Sequence, residues 1–271
     1  MDIEKQYREL QKNRKHIKFI NVSYEEYISN YINKKKKKLK LAIIVPFREH
    51  KGEKIRTHQL RKFIKHMKTF FSNKDISMKI FVINQMSYDK KFNRGLLLNI
   101  GFDFAKKYNI IVTHDVDMLP DDYLLNYYLH IPKQPLHIVY PGCSNQLNRF
   151  FKLKRIYNYH KYIGGINIYS SALYKKLNGF PNTFWGWGGE DDALYERIAN
   201  NKMSIIRPNK GKIIELPHKS FHKQIEYTNT KKWENRVNDV KNWKKNGLIN
   251  LKYKISSIKK TRWYTIINCN I

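Results

Sequence analysis

The stretch NIIVTHDVD at residues 109–117 decides the fold of this chain. Its first part, Asn109 to Thr113, has the length and the apolar composition of a strand that is buried on both faces of a sheet. The strand leads directly into His114-Asp115-Val116-Asp117, so two carboxylates stand where it ends. Ligands of open α/β sheets bind outside the carboxyl ends of the strands, and this junction is therefore a candidate site.

Strand and helix patterns alternate on both sides of this junction. Continuous apolar runs predict strands, and apolar residues at helical spacing predict helices. Strands are expected at 41–46, 78–84, 109–113, 136–140, 203–207 and 213–216, and helices at 55–71, 95–107, 170–177 and from residue 190 onward. This alternation predicts an α/β fold of Rossmann-like type, with a mainly parallel, twisted sheet and helices on both faces.

The composition of the 271 residues excludes several classes of protein. An apolar fraction of 41% with 14% aromatic residues can form a core, which argues against wholesale disorder. No apolar run of about 18 residues occurs, and the N-terminus lacks the apolar stretch of a secretory signal. We therefore expect a cytoplasmic or soluble protein, and a Golgi protein only if an anchor lies outside this chain. Cys143 and Cys269 are too few for a disulfide framework or a zinc site, and they could pair once or stay free.

The charge balance is strongly basic, with 53 Lys and Arg against 22 Asp and Glu and a formal net charge of +31. Such an excess favours polyanionic partners such as nucleic acid, anionic lipid or a phosphorylated substrate. The lysines are scattered among many Asn, Ile and Tyr, however, which fits a composition bias equally well. The lysine run at 34–38 predicts an exposed linker. We therefore expect a basic N-terminal extension at 1–38 and one α/β domain at 39–271.

The scarce acids carry more information than the abundant bases, because seven of the 22 fall in two short clusters at 115–122 and 190–192. Asp115 and Asp117 can reach the same side beyond a strand and bind Mg²⁺ or Mn²⁺, or they could be two solvated loop acids. His218 and His222 follow a later strand, and an added imidazole ligand would favour Mn²⁺.

The segment FWGWGGEDD at residues 184–192 is the most unusual of the chain. Its two tryptophans present flat apolar faces that can stack on sugar rings, and the adjacent acids can accept hydrogen bonds from hydroxyl groups. A carboxylate here could serve as general base for a substrate hydroxyl. The alternative is a packed Trp corner beside a helix that begins with acidic residues, which stabilise a helix N-terminus.

Six segments stand out when the chain is read as a whole: IIVPFR (43–48), FVINQ (81–85), FNRGLLLNIGF (92–102), DVDMLP (115–120), YIGGINIYS (162–170) and NGFPNTFWGWGGEDDALYERI (178–198). In this combination and order the chain resembles the β-1,4-galactosyltransferases, glycosyltransferase family seven. His114 and the closing TIINCNI are most similar to the branch that galactosylates xylose on proteoglycan cores.

The resemblance implies a GT-A fold and a glycosyltransferase catalytic domain at 39–271. It implies Mn²⁺-dependent, inverting transfer of galactose from UDP-galactose to a sugar hydroxyl, with a β-1,4 linkage expected. The acceptor would be a glycan or glycoprotein that ends in xylose or N-acetylglucosamine. Asp191 matches the catalytic base of the family.

The resemblance also assigns binding residues. The donor would contact Pro46, Phe47, Arg48, Phe92, Arg94, Asp115, Val116, Asp117, Tyr162, Gly165, Trp187 and Asp192. The acceptor would contact Trp187, Gly189, Glu190 and Asp191. Tyr162 matches a position where Tyr disfavours an N-acetyl group on the donor, which implies galactose rather than N-acetylgalactosamine.

The metal ligands implied by the resemblance are incomplete. Asp117 and His218 match two of them, and the family supplies a third from a Met three residues before this histidine or a His two residues after it. Glu215 and Ser220 hold those positions here. Glu215 could coordinate, or His222 could do so through a shifted loop, which is the assignment we prefer. His50 also departs from the family, which often has a second phosphate-contacting Arg there.

Two rival functions follow from the sequence. Within the enzyme class, the chain could transfer another sugar such as N-acetylgalactosamine. Outside it, the net charge of +31 and the lysine run would suit a polyanion-binding module on an inactive transferase scaffold. We expect neither a specific nucleic acid partner nor a transmembrane segment in this chain.

Overall fold

The computed structural model describes residues 2–12, 17–34, 38–140, 143, 162–217 and 226–271. The strands are β1 Phe19–Val22, β2 Lys40–Phe47, β3 Ser77–Gln85, β4 Ile110–Thr113, β5 Met118–Pro120, β6 Leu136–His137, β7 Asn167–Ser170, β8 Ile205–Pro208, β9 Ile213–Glu215, β10 Lys254–Lys260 and β11 Tyr264–Asn270. The helices are α1 Ile3–Lys12, α2 Tyr24–Asn30, α3 Ile55–Phe70, α4 Arg94–Phe104, α5 Asp122–Tyr128, α6 Ser171–Lys176, α7 Glu190–Asn200 and α8 Lys232–Asn242.

Within the described residues, nine strands form one sheet in the order β1-β8-β6-β7-β4-β2-β3-β11-β10. The neighbours β4, β2, β3 and β11 are parallel, as are β1, β8 and β6 at the other side. β7 runs antiparallel to both β4 and β6, and β10 is antiparallel to β11. The short strands β5 and β9 pair with each other outside this sheet. The predicted mainly parallel α/β sheet is confirmed.

Apolar side chains pack on both faces of the sheet, as the unbroken apolar runs predict. In β2, Leu41, Ile43 and Val45 belong to one buried cluster, and Ala42 and Ile44 belong to the other. Helices α3 and α5 cover the first face, and α4 and α7 cover the second. Each fully buried aliphatic side chain contributes about 1.5–3 kcal/mol relative to exposure. Because β2 has such side chains on both faces, it lies at the centre of the fold.

The N-terminal segment differs from the predicted extension at 1–38. β1 pairs in parallel with β8 and forms an edge of the sheet. Val22 and Tyr27 are fully buried in the core. The reason is that FINV is a short strand sequence and the following helix α2 is amphipathic, so both bury apolar side chains that a linker would expose. Of the lysine run, residues 35–37 lie outside the described residues.

A C-terminal hairpin, formed by β10 and β11, extends the sheet at its other edge. β11 pairs in parallel with β3, and its alternate residues Thr265, Ile267 and Cys269 are buried. β10 is exposed along its whole length. Its lysines oppose pairing of this open edge with other chains. The sequence did not predict this hairpin.

Three smaller observations complete the comparison with the sequence. The strand predicted at 136–140 is limited to Leu136–His137. Cys143 and Cys269 are both buried and free, and they belong to the clusters on opposite faces of the sheet. In the described ranges no helix is both long enough and apolar enough to cross a bilayer.

Candidate active site

One arginine connects the two acidic clusters that the sequence singled out. The Nε of Arg94 donates to Oδ1 of Asp115 at 2.8 Å, and its Nη1 donates to Oδ1 of Asp191 at 3.0 Å. Glu190 lies further off, with Oε1 3.9 Å from the same Nη1. The end of β4 and the first turn of α7 therefore meet around a single guanidinium.

Local hydrogen bonds fix the position of Arg94 at the start of α4. The side chain of Asn93 caps the helix, with Oδ1 accepting from the amide of Leu96 at 2.9 Å. The amide of Asn93 donates to Oε1 of Gln85, at the end of β3, at 3.1 Å. Gly95 has no room for a side chain, because an added Cβ would lie 2.6 Å from the carbonyl oxygen of Pro181. Helix α4 thus packs directly against the segment that leads into α7.

Helix α7 begins as predicted, with Gly189 as its N-cap in a left-handed conformation at φ 101°. Glu190, Asp191 and Asp192 fill the first turn, where their charge interacts favourably with the helix dipole. Consecutive helix positions point about 100° apart, and the three acids accordingly have different surroundings. Asp192 forms an ion pair with Arg236 of α8 instead of Arg94.

Burial and charge act in opposite directions on this cluster. Burial raises the pKa of Asp191, while the Arg94 charge lowers it and Asp115 raises it again. Burial and the neighbouring Asp191 raise the pKa of Glu190. Burial also raises the pKa of Asp115 against the effect of Arg94. The pKa of Arg94 is raised well above its usual value, because three carboxylates outweigh its burial.

Asp191 is only partly buried among the charged groups around it and stays accessible to solvent. Its side chain is 26% exposed, and that of Asp115 is 29% exposed. A carboxylate with a raised pKa that is still reachable from solvent is the arrangement that a general base requires.

Asp117 forms an ion pair with a second arginine, Arg56. Nη1 of Arg56 donates to Oδ2 of Asp117 at 2.7 Å and to Oε1 of Gln59 at 2.9 Å. The Asp117 carbonyl accepts from the amide of Leu216 at 2.7 Å, and Nε2 of Gln59 donates to the carbonyl of Pro217 at 2.8 Å. The chain is therefore tied to Asp117 immediately before residue 218.

A divalent cation at this position would take oxygen or imidazole ligands. Asp117 supplies a carboxylate, and the two hydrogen bonds at residues 216–217 bring the chain to it. His218, Ser220 and His222 lie outside the described residues. Glu215 pairs with Met118 across β5 and β9, one residue beyond Asp117. Among the described residues alone, no group of three His, Cys, Asp or Glu side chains could hold a metal.

The predicted nucleotide-binding residues lie at the end of β2. Pro46 and Phe47 complete the strand, and Arg48 follows it. Nη1 of Arg48 donates to the carbonyl of Lys90 at 2.7 Å. Its guanidinium lies over the ring of Phe92, 5.5 Å from the centroid. Arg48 and Phe92 are therefore neighbours, as the predicted pocket requires.

The loop at residues 184–189, the Trp loop, contacts two other segments of the chain. The amide of Gly186 donates to the carbonyl of Phe92 at 2.8 Å. Trp187 forms a parallel bridge with Thr228, and its side chain is 56% exposed. A large exposed indole beside buried acids is a surface suited to stacking on a ring of a ligand.

Tyr162, Val116 and Gly165 complete the predicted donor set. Val116 is buried, and Gly165 has a positive φ of 79°. The carbonyl of Gly165 accepts from Nη2 of Arg94 at 3.4 Å. An added Cβ at Gly165 would lie 2.7 Å from Sδ of Met118. The segment that begins at Tyr162 therefore lies against both Arg94 and the DVD strand end.

Sequence reasoning missed Arg56 and Arg236, the partners of Asp117 and Asp192. Neither lies in one of the six segments, and 53 basic residues offered too many candidates. Neither arginine belongs to a sequence motif with a recognised spacing. Only the partial burial of these arginines beside acids, at 22% and 11% exposure, distinguishes them.

The fold is that of a GT-A type glycosyltransferase. Residues 4–130 match the family described as the N-terminal region of glycosyl transferase group 7, and residues 146–219 match the one described as the N-terminal domain of galactosyltransferase. The chain belongs to this family, the β-1,4-galactosyltransferases of group 7.

Individual relatives agree with this family. The chain is 34% identical to β-1,4-galactosyltransferase 7 of Drosophila melanogaster over 81% of its own length and 64% of the relative. It is 35% identical to β-1,4-galactosyltransferase 1 of Mus musculus over 86% of its length and 55% of the relative. It is 38% identical to β-1,4-galactosyltransferase 7 of Homo sapiens over 63% and 47%. The chain thus spans about half to two thirds of the length of these relatives.

Solved structures give the same result. A crystal structure of the catalytic domain of Drosophila β-1,4-galactosyltransferase 7 in complex with xylobiose has a TM-score of 0.69 and 32% identity, over 86% of this chain and 94% of that one. A mutant of the same enzyme in complex with manganese, UDP-Gal and xylobiose has a TM-score of 0.70 over the same shares. Our predictions of the family and of the GT-A fold are confirmed.

Proposed function

We propose that this chain transfers galactose from UDP-galactose to a sugar hydroxyl, with inversion of the anomeric centre, a β-1,4 linkage and dependence on Mn²⁺. The observation that carries the proposal is the contact of Arg94 with both Asp115 and Asp191. It brings a residue predicted to bind the donor and one predicted to accept the acceptor's proton to opposite sides of one guanidinium. The chemistry of a transferase needs both in one place.

Asp191 acts as the general base in this proposal. The acceptor hydroxyl attacks the anomeric carbon, its proton moves to the Asp191 carboxylate, and the carbon–oxygen bond to UDP breaks on the opposite face. Arg94 holds one oxygen of Asp191 in place, which orients the carboxylate for the proton. Such alignment and proton transfer each supply several kcal/mol of barrier lowering, on the order of 10²–10⁴-fold for the base.

Asp117, His218 and His222 are the residues that we assign to the cation. The support is the tie between Asp117 and residues 216–217 described above. Bound there, Mn²⁺ would neutralise the charge that develops on the departing diphosphate. Arg48 and Phe92 hold the nucleotide, and Arg94 prevents the acids around it from repelling the diphosphate.

Galactose is the proposed sugar because Tyr162 matches the position at which a tyrosine of the family disfavours an N-acetyl group on the donor. Xylose or N-acetylglucosamine at the end of a glycan or glycoprotein is the proposed acceptor class. The xylobiose complexes of the Drosophila relative support xylose. Trp187 offers the stacking surface, and Glu190 lies beside the base.

A second candidate function is the binding of a polyanion. Lys90, Lys91 and Trp185 line an open groove of about 420 Å³, and Nζ of Lys90 lies 5.3 Å from the centroid of the Trp185 ring. Nζ of Lys90 donates to the carbonyl of Ile271 and Nζ of Lys91 to that of Thr228. The main support for a polyanion such as a sulfated glycan is therefore the net charge of +31. Salt-dependent binding of heparin without UDP release would favour this function.

The deciding experiment is a screen of UDP-sugars against xylose, N-acetylglucosamine and their β-glycosides in the presence of Mn²⁺. UDP release and the linkage of the product are measured. We expect turnover with UDP-galactose that is lost on chelation with EDTA. If no donor gives turnover and the chain binds heparin, the transferase function is refuted and the polyanion-binding function is favoured.

A further inference from the structure

Tyr162, the residue that we propose selects the donor sugar, contacts two buried polar side chains on neighbouring strands. His137 lies on β6 and Arg207 on β8, and they are 0% and 4% exposed. Nη2 of Arg207 donates to the carbonyl of Tyr162 at 2.6 Å, and its Nε donates to Nδ1 of His137 at 3.2 Å. Nothing in the sequence motifs pointed to either residue.

His137 also contacts the ring of Tyr162. The rings of His137 and Tyr162 meet edge to face with centroids 5.7 Å apart. The ring of Tyr162 also lies flat against Gly164, where an added Cβ would be 2.6 Å from the phenol oxygen. His137 bonds to the Gly164 carbonyl at 2.9 Å through Nε2. Both the backbone and the ring of Tyr162 are therefore fixed by one hydrogen-bonded pair.

The protonation state of this pair is defined by its geometry. An arginine can only donate, so Nδ1 of His137 must accept and Nε2 must carry the proton that is donated to Gly164. Burial, together with the charge of Arg207, lowers the pKa of His137 well below its usual value. The imidazole is thus neutral, in one tautomer, over the whole physiological pH range. Arg207 stacks on Phe19 of β1 at 3.8 Å, which fixes its plane.

The support continues into the active site. Gly165 follows Gly164, and its carbonyl accepts from Arg94, the residue that joins the two acids. A shift of Tyr162 and Gly164 would therefore change both the space beside the donor sugar and a contact of Arg94. The two buried polar side chains come together because β6 and β8 are adjacent parallel strands inside the sheet.

We infer that Arg207 and His137 are positioning residues that set the donor selectivity of the enzyme by holding Tyr162. The inference rests on the proposed function, because it takes Tyr162 as the residue that excludes the N-acetyl group. Discrimination by a shaped pocket against one extra group is worth about 10–200-fold. A loosened Tyr162 loses most of that factor.

The test compares kcat/KM for UDP-galactose and UDP-N-acetylgalactosamine in the wild type, Arg207→Met, Tyr162→Leu and the double variant. We expect Arg207→Met to lower the galactose preference at least about tenfold while Tyr162 is still present. In the Tyr162→Leu background, the same substitution should leave the ratio unchanged, because the side chain that it positions is gone.

Arg197→Met is the matched control. Arg197 is also a fully buried arginine that bonds to backbone carbonyls, including that of Gly179 at 2.8 Å, and it pairs in addition with the buried Asp239, so its loss is the more severe test of stability alone. Its loss should lower the melting temperature and leave the donor ratio as in the wild type. A purely structural role of Arg207 predicts the same unchanged ratio for Arg207→Met, and that result would overturn the inference.

His137→Phe provides an independent variant if Arg207→Met does not fold. It keeps an aromatic ring against Tyr162 and removes both hydrogen bonds of the imidazole, so the galactose preference should again fall. If the wild type releases no UDP from any donor, the proposed function fails. The inference is then decided by calorimetric affinities for the two UDP-sugars, whose ratio must fall in His137→Phe; an unchanged ratio refutes it.

Discussion

Arg94 donates a hydrogen bond from Nη1 to Oδ1 of Asp191 over 3.0 Å, while its Nε contacts Asp115. These acids are 76 positions apart in sequence (191 − 115) and belong to two separate motifs. The guanidinium turns them into one site, because without a cation between them the two partly buried carboxylates would repel each other. The proposed transfer therefore depends on this contact.

Replacing Arg94 tests the contact directly. We expect Arg94→Met to lower kcat/KM for galactosyl transfer by about 10²–10³-fold, the range found when a preorganised donor is removed from an active site. The kcat/KM of Arg94→Lys should fall nearly as far, because a single ammonium group cannot contact Asp115 and Asp191 as the guanidinium does. UDP release under saturating acceptor measures both. Activity of the Lys variant near that of the wild type would show that only the charge is needed.

The pH dependence of transfer activity should reflect the pKa of Asp191. Burial raises the pKa of this carboxyl, and a base must be deprotonated to act. Activity should therefore fall with decreasing pH, and the midpoint should lie above the ordinary aspartate value of about 3.9. Because the Arg94 charge lowers this pKa, residual activity of Arg94→Met should decline at a still higher pH. A profile that is flat down to pH 4 would contradict the assignment.

Glu190 should make the stability of the protein depend on pH. Burial raises its pKa in the folded state, so the folded protein binds the proton more tightly than the unfolded chain does. Stability is then lost as the pH rises from the ordinary glutamate range, near 4.3, towards the raised value. Glu190→Gln removes this loss. Its melting temperature should exceed that of the wild type by more at pH 8 than at pH 5, and an equal difference at both would be inconsistent with a raised pKa.

Two glycines of the Trp loop form a matched pair. Gly186 and Gly188 have φ of 89° and 108°, so alanine at either position carries backbone strain of roughly 1–2 kcal/mol. A Cβ at Gly186 would also lie 2.8 Å from the backbone of Thr228. A Cβ at Gly188 would have no neighbouring atom within 4 Å among the described residues. We expect Gly186→Ala to lower both melting temperature and transfer activity well beyond Gly188→Ala. Similar losses would mean that strain alone governs the loop.

Asp117 should be required for metal-dependent nucleotide binding. Asp117→Ala removes the carboxylate that lies beside residues 216–217, and UDP affinity measured by calorimetry should no longer respond to Mn²⁺. Asp121→Ala is the control, since Asp121 lies four positions later and caps α5 through the amide of Leu124. It should retain the Mn²⁺ response. An Mn²⁺ response in Asp117→Ala equal to that of the wild type would refute the metal assignment.

Local patterns in the sequence were sufficient for most of the fold. β2, β3 and β4 are continuous apolar runs, and α7 begins at the acids that favour a helix N-terminus. β1 and β11 were not predicted, because four or seven residues of moderate hydrophobicity become strands only through distant partners, β8 and β3. Their pairing is a property of the tertiary fold.

The candidate site also contains residues that the sequence predicted and residues that it did not. Arg94, Asp115 and Asp191 were each predicted from motifs, but their common contact arises where α4, β4 and α7 converge. Arg56 and Arg207 could not be predicted, since a buried polar contact leaves no periodic trace in a chain with 53 basic residues. The cation site stays a prediction at His218 and His222, which lie outside the described residues.

The most direct test of the central claim is the turnover of Asp191→Asn. Asparagine keeps the shape of the side chain and can still accept from Arg94, but it cannot take up the proton of the acceptor. We predict that UDP–Mn²⁺ binding remains within about threefold of the wild type while galactosyl transfer falls by at least about 10²-fold. Transfer within tenfold of the wild type would contradict Asp191 as the base and with it the mechanism proposed for this chain.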